Sequence, residues 1–308
     1  ASAQSGIALI LVLWITTLLT LIASSFIHAM RTDINIVGNS VTRAKLEAAT
    51  NAAVHRALLE MAKPEQFADR WKSDGLPLSW QFRDQAVQVS ILDESGKIDI
   101  NAGNEALIRG LLRSQGLTDE QAASLSDAIG DWRDLDSLKR PRGAEEPEYT
   151  AAGLGYKPNN APFQSIEELR LVIGMTPDLY QRVAPLVTIF SRQPGINTQI
   201  AGRDVLRAVP GVTDAQVDEY LARREAARAA KLPIPVFAPA QNFQSFRNGV
   251  VTIRASAQSE DGSVFVREAV ALRLPNPKRS YTFLRWQEGV QQAAASDAAP
   301  MPANPANT

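Results

Sequence analysis

The sequence predicts an α+β protein: one long N-terminal helix, a small antiparallel sheet, and a large all-α domain inserted into that sheet. Three observations carry the prediction. An uncharged apolar run passes without a proline into a helix-spaced pattern that lasts to Ala62. Residues alternate apolar and polar in two separated regions, one early and one late. Between those regions the pattern is helical and repeats itself.

The first element is Ile7 to Ile27, IALILVLWITTLLTLIASSFI, 21 residues without a charge. As a helix it would be about 31 Å long, the thickness of a bilayer hydrocarbon core. A secretory signal peptide is the alternative, but its apolar region is usually shorter, about 7–15 residues, and ends at a small-x-small cleavage site. No clear site of that kind precedes Arg31, so a spanning helix is expected. Ala1 to Gly6 carries no Lys or Arg and reads as a remnant of a leader or as flanking residues; it does not set orientation. Beyond Arg31, Ile34, Val37, Val41, Ala44, Ala48, Ala52, Leu58 and Leu59 recur at helical spacing, and the first stop is Lys63-Pro64. The prediction is one transmembrane and stem helix over 7–62, weakest at Gly38. An anchor followed by an unrelated helix is the competing reading.

Residues 63–101 and 233–288 are expected to form the sheet domain. Trp80 to Asp93 has a strand-like core, with Val87, Val89 and Ile91 alternating with Gln88 and Ser90. Asp93 to Lys97 is a turn, after which Ile98 and Ile100 resume the alternation. Val250–Ala257, Val264–Leu274 and Tyr281–Trp286 read as later strands, the first two joined by a hairpin at Asp261-Gly262. Residues 289–308, rich in Ala, Pro, Asn and Gln, read as a disordered tail.

The insert, 102–232, contains a repeat at an offset of 37 residues. Glu168 to Thr176 aligns with Val205 to Thr213, each copy a helix, a Gly turn and a second helix (Asp178–Val187; Asp214–Arg228). A looser copy centres on Gly116-Leu117-Thr118. The unit resembles the helix-hairpin-helix. In DNA-binding forms its Gly exposes backbone N–H groups to a phosphate. Here Asp178 and Asp214 follow the turns, where carboxylates suit helix N-termini and repel phosphate. A protein-binding role is expected, and a membrane-anchored helix-hairpin-helix DNA receptor is the alternative function.

Charge is balanced, with 32 Lys+Arg against 33 Asp+Glu, all at or beyond Arg31, which argues against nucleic-acid binding by bulk charge. The absence of Cys excludes disulfides, thiolate nucleophiles and Cys-ligated metals. The two His, His28 and His55, belong to no zinc motif, and neither G-x-S-x-G nor Walker A is present. Nothing selects an acid/base pair, so no enzyme activity is expected. One segment suggests a metal. Asp131 to Phe163 is long, rich in Gly and Pro, and carries Asp131, Asp134, Asp136, Glu145, Glu146 and Glu148, with Asn159 and Asn160. Such a loop needs an organiser or is disordered. Calcium accepts about 6–8 oxygens of irregular geometry. Asp134-x-Asp136 resembles the start of an EF-hand loop, but the Gly and final Glu of that loop are not at their offsets. The alternative is a solvated loop whose acids are offset by Arg133, Lys139, Arg140 and Arg142.

Several motifs in order resemble the K-type minor pseudopilins of the type II secretion system (general secretion pathway protein K). They are Gly6-Ile7-Ala8-Leu9-Ile10; Asp93-Glu94-Ser95-Gly96-Lys97-Ile98 with Asn101; Asp131-Trp132-Arg133-Asp134 and Gly143-Ala144-Glu145; Asn160-Ala161-Pro162 before Glu168-Leu169; and Gly195-Ile196-Asn197. The resemblance implies a pilin-like sheet and a periplasmic domain held by a single pass in the inner membrane. It also implies a place at the pseudopilus tip, supporting protein export across the outer membrane. The implied partners are the I- and J-type minor pseudopilins, the major pseudopilin fibre, the inner-membrane assembly platform and a prepilin peptidase, with no nucleic acid. Cleavage after Gly6 would leave Ile7 as N-terminus, and methylation is implied as well. Calcium is the implied ion, in the Asp131–Tyr149 loop, with Asp134, Asp136, Glu145 and Glu148 as first ligands and Asp131, Glu146 and Asn160 beside them. Most pilins carry Glu at the fifth mature position, where this chain has Leu11. That Glu neutralises the N-terminal ammonium of the subunit ahead, a costly charge in lipid. A tip subunit has no subunit ahead of it.

Overall fold

In a computed structural model the chain is described over residues 5–64, 67, 69–246, 249–276 and 279–289. Residues 1–4 of the expected leader remnant (1–6) and residues 290–308 of the expected tail (289–308) lie outside the described residues.

Helix α1 runs unbroken from Ser5 to Ala62, 58 residues or about 87 Å. Leu9–Ile27 is long and apolar enough to cross a membrane, and none of it is buried against the protein. No proline interrupts the helix, and Gly38 has no atom within 4 Å of the place a Cβ would take. The last turns change character. Leu46, Ala49, Ala53, Val54 and Ala57 share one face and are buried. The three alanines let the helix axis come close to the sheet, where Val87, Val89, Ile91, Ile253, Ala255, Ala269 and Ala271 complete one apolar core.

The sheet has five antiparallel strands in the order β1 (Leu78–Phe82), β2 (Gln85–Asp93), β5 (Val250–Gln258), β6 (Val264–Asn276) and β7 (Arg279–Glu288). The expected Trp80–Asp93 strand is instead a hairpin, β1 and β2, that turns at Arg83 and Asp84. No Gly or Pro marks that turn; Arg83 itself takes the left-handed conformation, φ 54°. Strands β2 and β5 are neighbours although residues 94–249 separate them. Asp93 pairs with Val251, so the chain leaves the sheet and returns to it at adjacent positions.

The intervening region has its own core. It is built from α2 (Glu105–Ser114), α3 (Asp119–Arg133), α4 (Glu146–Ala151), α5 (Pro177–Val183), α6 (Arg203–Leu206) and α7 (Asp214–Ala229), with Leu107, Leu111, Ile129, Trp132, Tyr149, Leu169, Val217 and Tyr220 buried together. It is not purely helical. β3 (Ile98–Asp99) pairs in parallel with β4 (Val187–Thr188), so Ile98 and Ile100 serve this core rather than the main sheet. The expected helix to Val187 stops at Val183, because Pro185 admits only a short 3-10 turn, Ala184–Leu186. The first helix of the 168–176 copy is likewise a 3-10 turn, Ile166–Leu171. Asp99 ties the region together. Its carboxylate accepts from the backbone N–H of Asn101, Ala102 and Arg192 and from the Ser191 hydroxyl.

Candidate metal centre

The acidic segment begins inside α3 rather than in a loop. α3 is opened by a Thr118–Gln121 capping box and ends with Trp132 and Arg133. Trp132 is the pivot. It stacks on Phe163, with ring centres 6.1 Å apart, and lies 6.1 Å from Tyr149. Its carbonyl accepts from the Ala161 N–H. The chain between Asp134 and Phe163 is thereby wrapped around one buried indole. Burial pushes the Tyr149 phenol up to about 12, and its hydroxyl accepts from the Ile173 N–H, joining this segment to the next turn.

Each predicted ligand has a distinct place. Asp131 is fully buried and accepts from the backbone N–H of Arg140 at 3.1 Å. Gly143 presses on it so closely that a Cβ there would collide with Asp131 Oδ2. Asp134 caps α3 at its C-terminal end, with Oδ2 3.5 Å from Arg140, while its buried Oδ1 has no partner among the described residues. Asp136 accepts from the Leu138 N–H in a local turn. Glu145 is 5% exposed, and its Oε1 has no partner among the described residues. Glu148 accepts from the Glu145 N–H with one oxygen and pairs with Lys139 at 2.7 Å with the other. Glu146 stands apart, 64% exposed and paired with Lys157. Asn160, in the left-handed region at φ 46°, donates to the Asp136 carbonyl and leaves its own buried Oδ1 unpartnered among the described residues.

The electrostatics agree with this geometry. Burial raises the pKa of Glu145 first, and the charges of Asp131, Asp134, Asp136 and Glu148 raise it further. Burial and then Asp136 raise that of Asp134. Burial raises Asp131, against hydrogen bonds from the Arg140 and Ala144 backbone. Three buried oxygens without partners, amid carboxylates that resist ionising together, suit a hard cation. Among the described residues, however, no three acidic or histidine side chains converge into a finished cage. Lys139 and Arg140 supply positive charge to the same acids.

The segment contains α4, where the sequence suggests irregular chain; Glu145-x-x-Glu148 is the spacing that marks its start. Sequence reasoning also missed Phe163 as the lid on Trp132, since that contact joins positions 31 residues apart.

The three repeated turns share their geometry. Gly116, Gly174 and Gly211 have φ of 97°, 88° and 77°, and Thr118, Thr176 and Thr213 cap the helices that follow. Their arginines are engaged. Arg207 pairs with Asp214 at 2.7 Å and Arg170 lies over the Tyr180 ring. This gives no support to phosphate binding.

Residues 88–194 match the family model described as type II secretion system (T2SS), protein K. The chain is 29% identical over 228 residues to type II secretion system protein K of Klebsiella pneumoniae, an alignment covering 67% of this chain and 69% of the relative. It is 24% identical over 243 residues to the protein of that name from Pseudomonas aeruginosa, covering 72% of each. Its fold resembles a chain in the crystal structure of the GspK-GspI-GspJ complex from the enterotoxigenic Escherichia coli Type 2 Secretion System. The TM-score is 0.60 at 18% identity, over 85% of this chain and 99% of that one.

Proposed function

We propose that the chain is a member of the type II secretion system protein K family, a minor pseudopilin capping the pseudopilus tip and supporting export from the periplasm across the outer membrane. The observation that carries this reading is the joining of one 58-residue helix, apolar over Leu9–Ile27 and packed on a five-stranded sheet by its last turns, to a family match that begins in β2. Such a helix anchors the subunit in the inner membrane and leaves the sheet and the insert in the periplasm. The I- and J-type minor pseudopilins are its direct partners, in keeping with the complex whose fold it resembles. The major pseudopilin fibre lies beneath, and the assembly platform and a prepilin peptidase acting after Gly6 precede assembly.

Calcium is the ion of the acidic segment. It would supply the divalent charge that the loop's own oxygens lack, taking about 6–8 oxygen ligands. Asp134, Glu145 and Asn160 would hold it through their unpartnered oxygens, with Asp131, Asp136 and Glu148 around them. Glu146, turned to Lys157, is the outermost. The chain's own part is to bring these groups onto one wrapped segment around Trp132.

Secretion in cells lacking their own protein K tests the function. The full chain is expected to restore export to the medium, and a chain without Leu9–Ile27 to leave cargo in the periplasm. Equal export with and without the chain would contradict the reading.

A further inference from the structure

A second feature lies away from the acidic segment, where the end of α1, residues 70–74 and the C-terminal end of α7 meet around a cleft of about 360 Å³. Its lining includes the apolar Met61, Trp71 and Ile200 and the basic Arg70, Lys72, Arg228 and Lys231. Two of these cations are fixed in place. Arg70 donates to the Met61 carbonyl at 3.0 Å, and Arg228 donates to the Gln199 carbonyl and pairs with Glu225. Lys72 and Lys231 are exposed and have no ion-pair partner among the described residues. Among the described residues the single acid on the lining is Asp74, which already accepts the Leu76 N–H. Arg228 and Lys231 suit the negative end of the α7 dipole. That does not account for Lys72, which comes from another segment.

We propose that this cleft docks an acidic segment of a partner protein, anchored on Met61, Trp71 and Ile200 by one large apolar side chain. Charge complementarity selects the partner. A lipid headgroup is excluded by distance: Met61 lies 34 helical positions beyond Ile27, a rise of about 51 Å along α1. A nucleic-acid duplex needs a basic stripe of many phosphate contacts, and a narrow cleft on a chain with 32 cations and 33 acids does not offer one. An extended peptide meets both conditions, with carboxylates for the lining lysines and an apolar anchor for Met61, Trp71 and Ile200. The inference does not depend on calcium in the acidic segment.

The test is fluorescence anisotropy with the full chain in detergent micelles. The probe is a short fluorescein-labelled peptide of Glu and Asp around a central Leu-Trp pair. Saturable binding is expected, weakening as salt rises. Lys72→Glu combined with Lys231→Glu should lower affinity by about tenfold or more. Arg83→Glu, on the β1–β2 turn, should leave it unchanged. Both lysines are exposed, so an unchanged melting temperature verifies the fold. Four results would overturn the proposal: no saturable binding, equal binding by the doubly substituted chain, equal binding of a peptide with Lys in place of its acids, or tighter binding of duplex DNA or anionic vesicles.

Discussion

Glu145 brings a charge to a buried position and leaves one oxygen without a partner among the described residues. Its raised pKa makes the folded chain hold that proton more tightly than the unfolded chain does. The favourable contribution is therefore complete below the ordinary carboxylate range and is lost as pH rises through the raised folded value. In EDTA, Glu145→Gln is predicted to melt higher than the unsubstituted chain at neutral pH, and the difference should vanish below about pH 4. With calcium the order should reverse at neutral pH if Glu145 is the carboxylate ligand proposed above. A difference in EDTA that shrinks as pH rises would contradict the assignment. By calorimetry, Asp134→Ala and Glu145→Ala should each weaken calcium binding by about tenfold or more; unchanged binding in both would count against these ligands. The acids of this site are legible in the sequence, because carboxylate density in an aperiodic, Gly- and Pro-rich segment is a local property. Which oxygens lack partners is not, because that depends on how Trp132, Arg140 and Phe163, up to 31 residues apart within the segment, fold back on one another.

Elements with a strong local period are legible almost to the residue. α1, predicted over 7–62, spans Ser5–Ala62, and β5, predicted over Val250–Ala257, spans Val250–Gln258. The misses share a cause, namely backbone choices decided by contacts elsewhere. Arg83 turns the first hairpin without a turn residue, and the two-residue strand β4 exists because β3 lies beside it. Close element approaches yield a direct prediction. On α2, a Cβ at Gly110 would collide with the Ala208 carbonyl oxygen. Backbone cannot yield that space cheaply, so Gly110→Ala should cost at least about 2 kcal/mol in urea unfolding followed by intrinsic tryptophan fluorescence. In the stem, Gly38 is helical with open space around it. Gly38→Ala should instead strengthen the helix locally, by about 0.5–1 kcal/mol, seen as slower amide exchange around position 38. Equal effects of the two substitutions would contradict the packing described.

At the scale of the whole molecule, one topological fact organises the rest. The chain leaves the sheet after Asp93 and re-enters opposite it at Val251, so a second core can grow without disturbing the strand order. α1 packs on the sheet with its last turns and leaves Ile34, Val37 and Val41 exposed between sheet and span. Exposed apolar residues at helical spacing suit packing against other helices, and the uncharged Leu11 suits a subunit with no helix ahead of it. These features agree with the proposed place at the tip of the fibre. The measurement that addresses this claim most directly is size-exclusion chromatography of residues 31–308 with the soluble parts of the I- and J-type minor pseudopilins at micromolar concentration. The account predicts one peak containing all three chains; elution of this chain alone, apart from the other two, would contradict it.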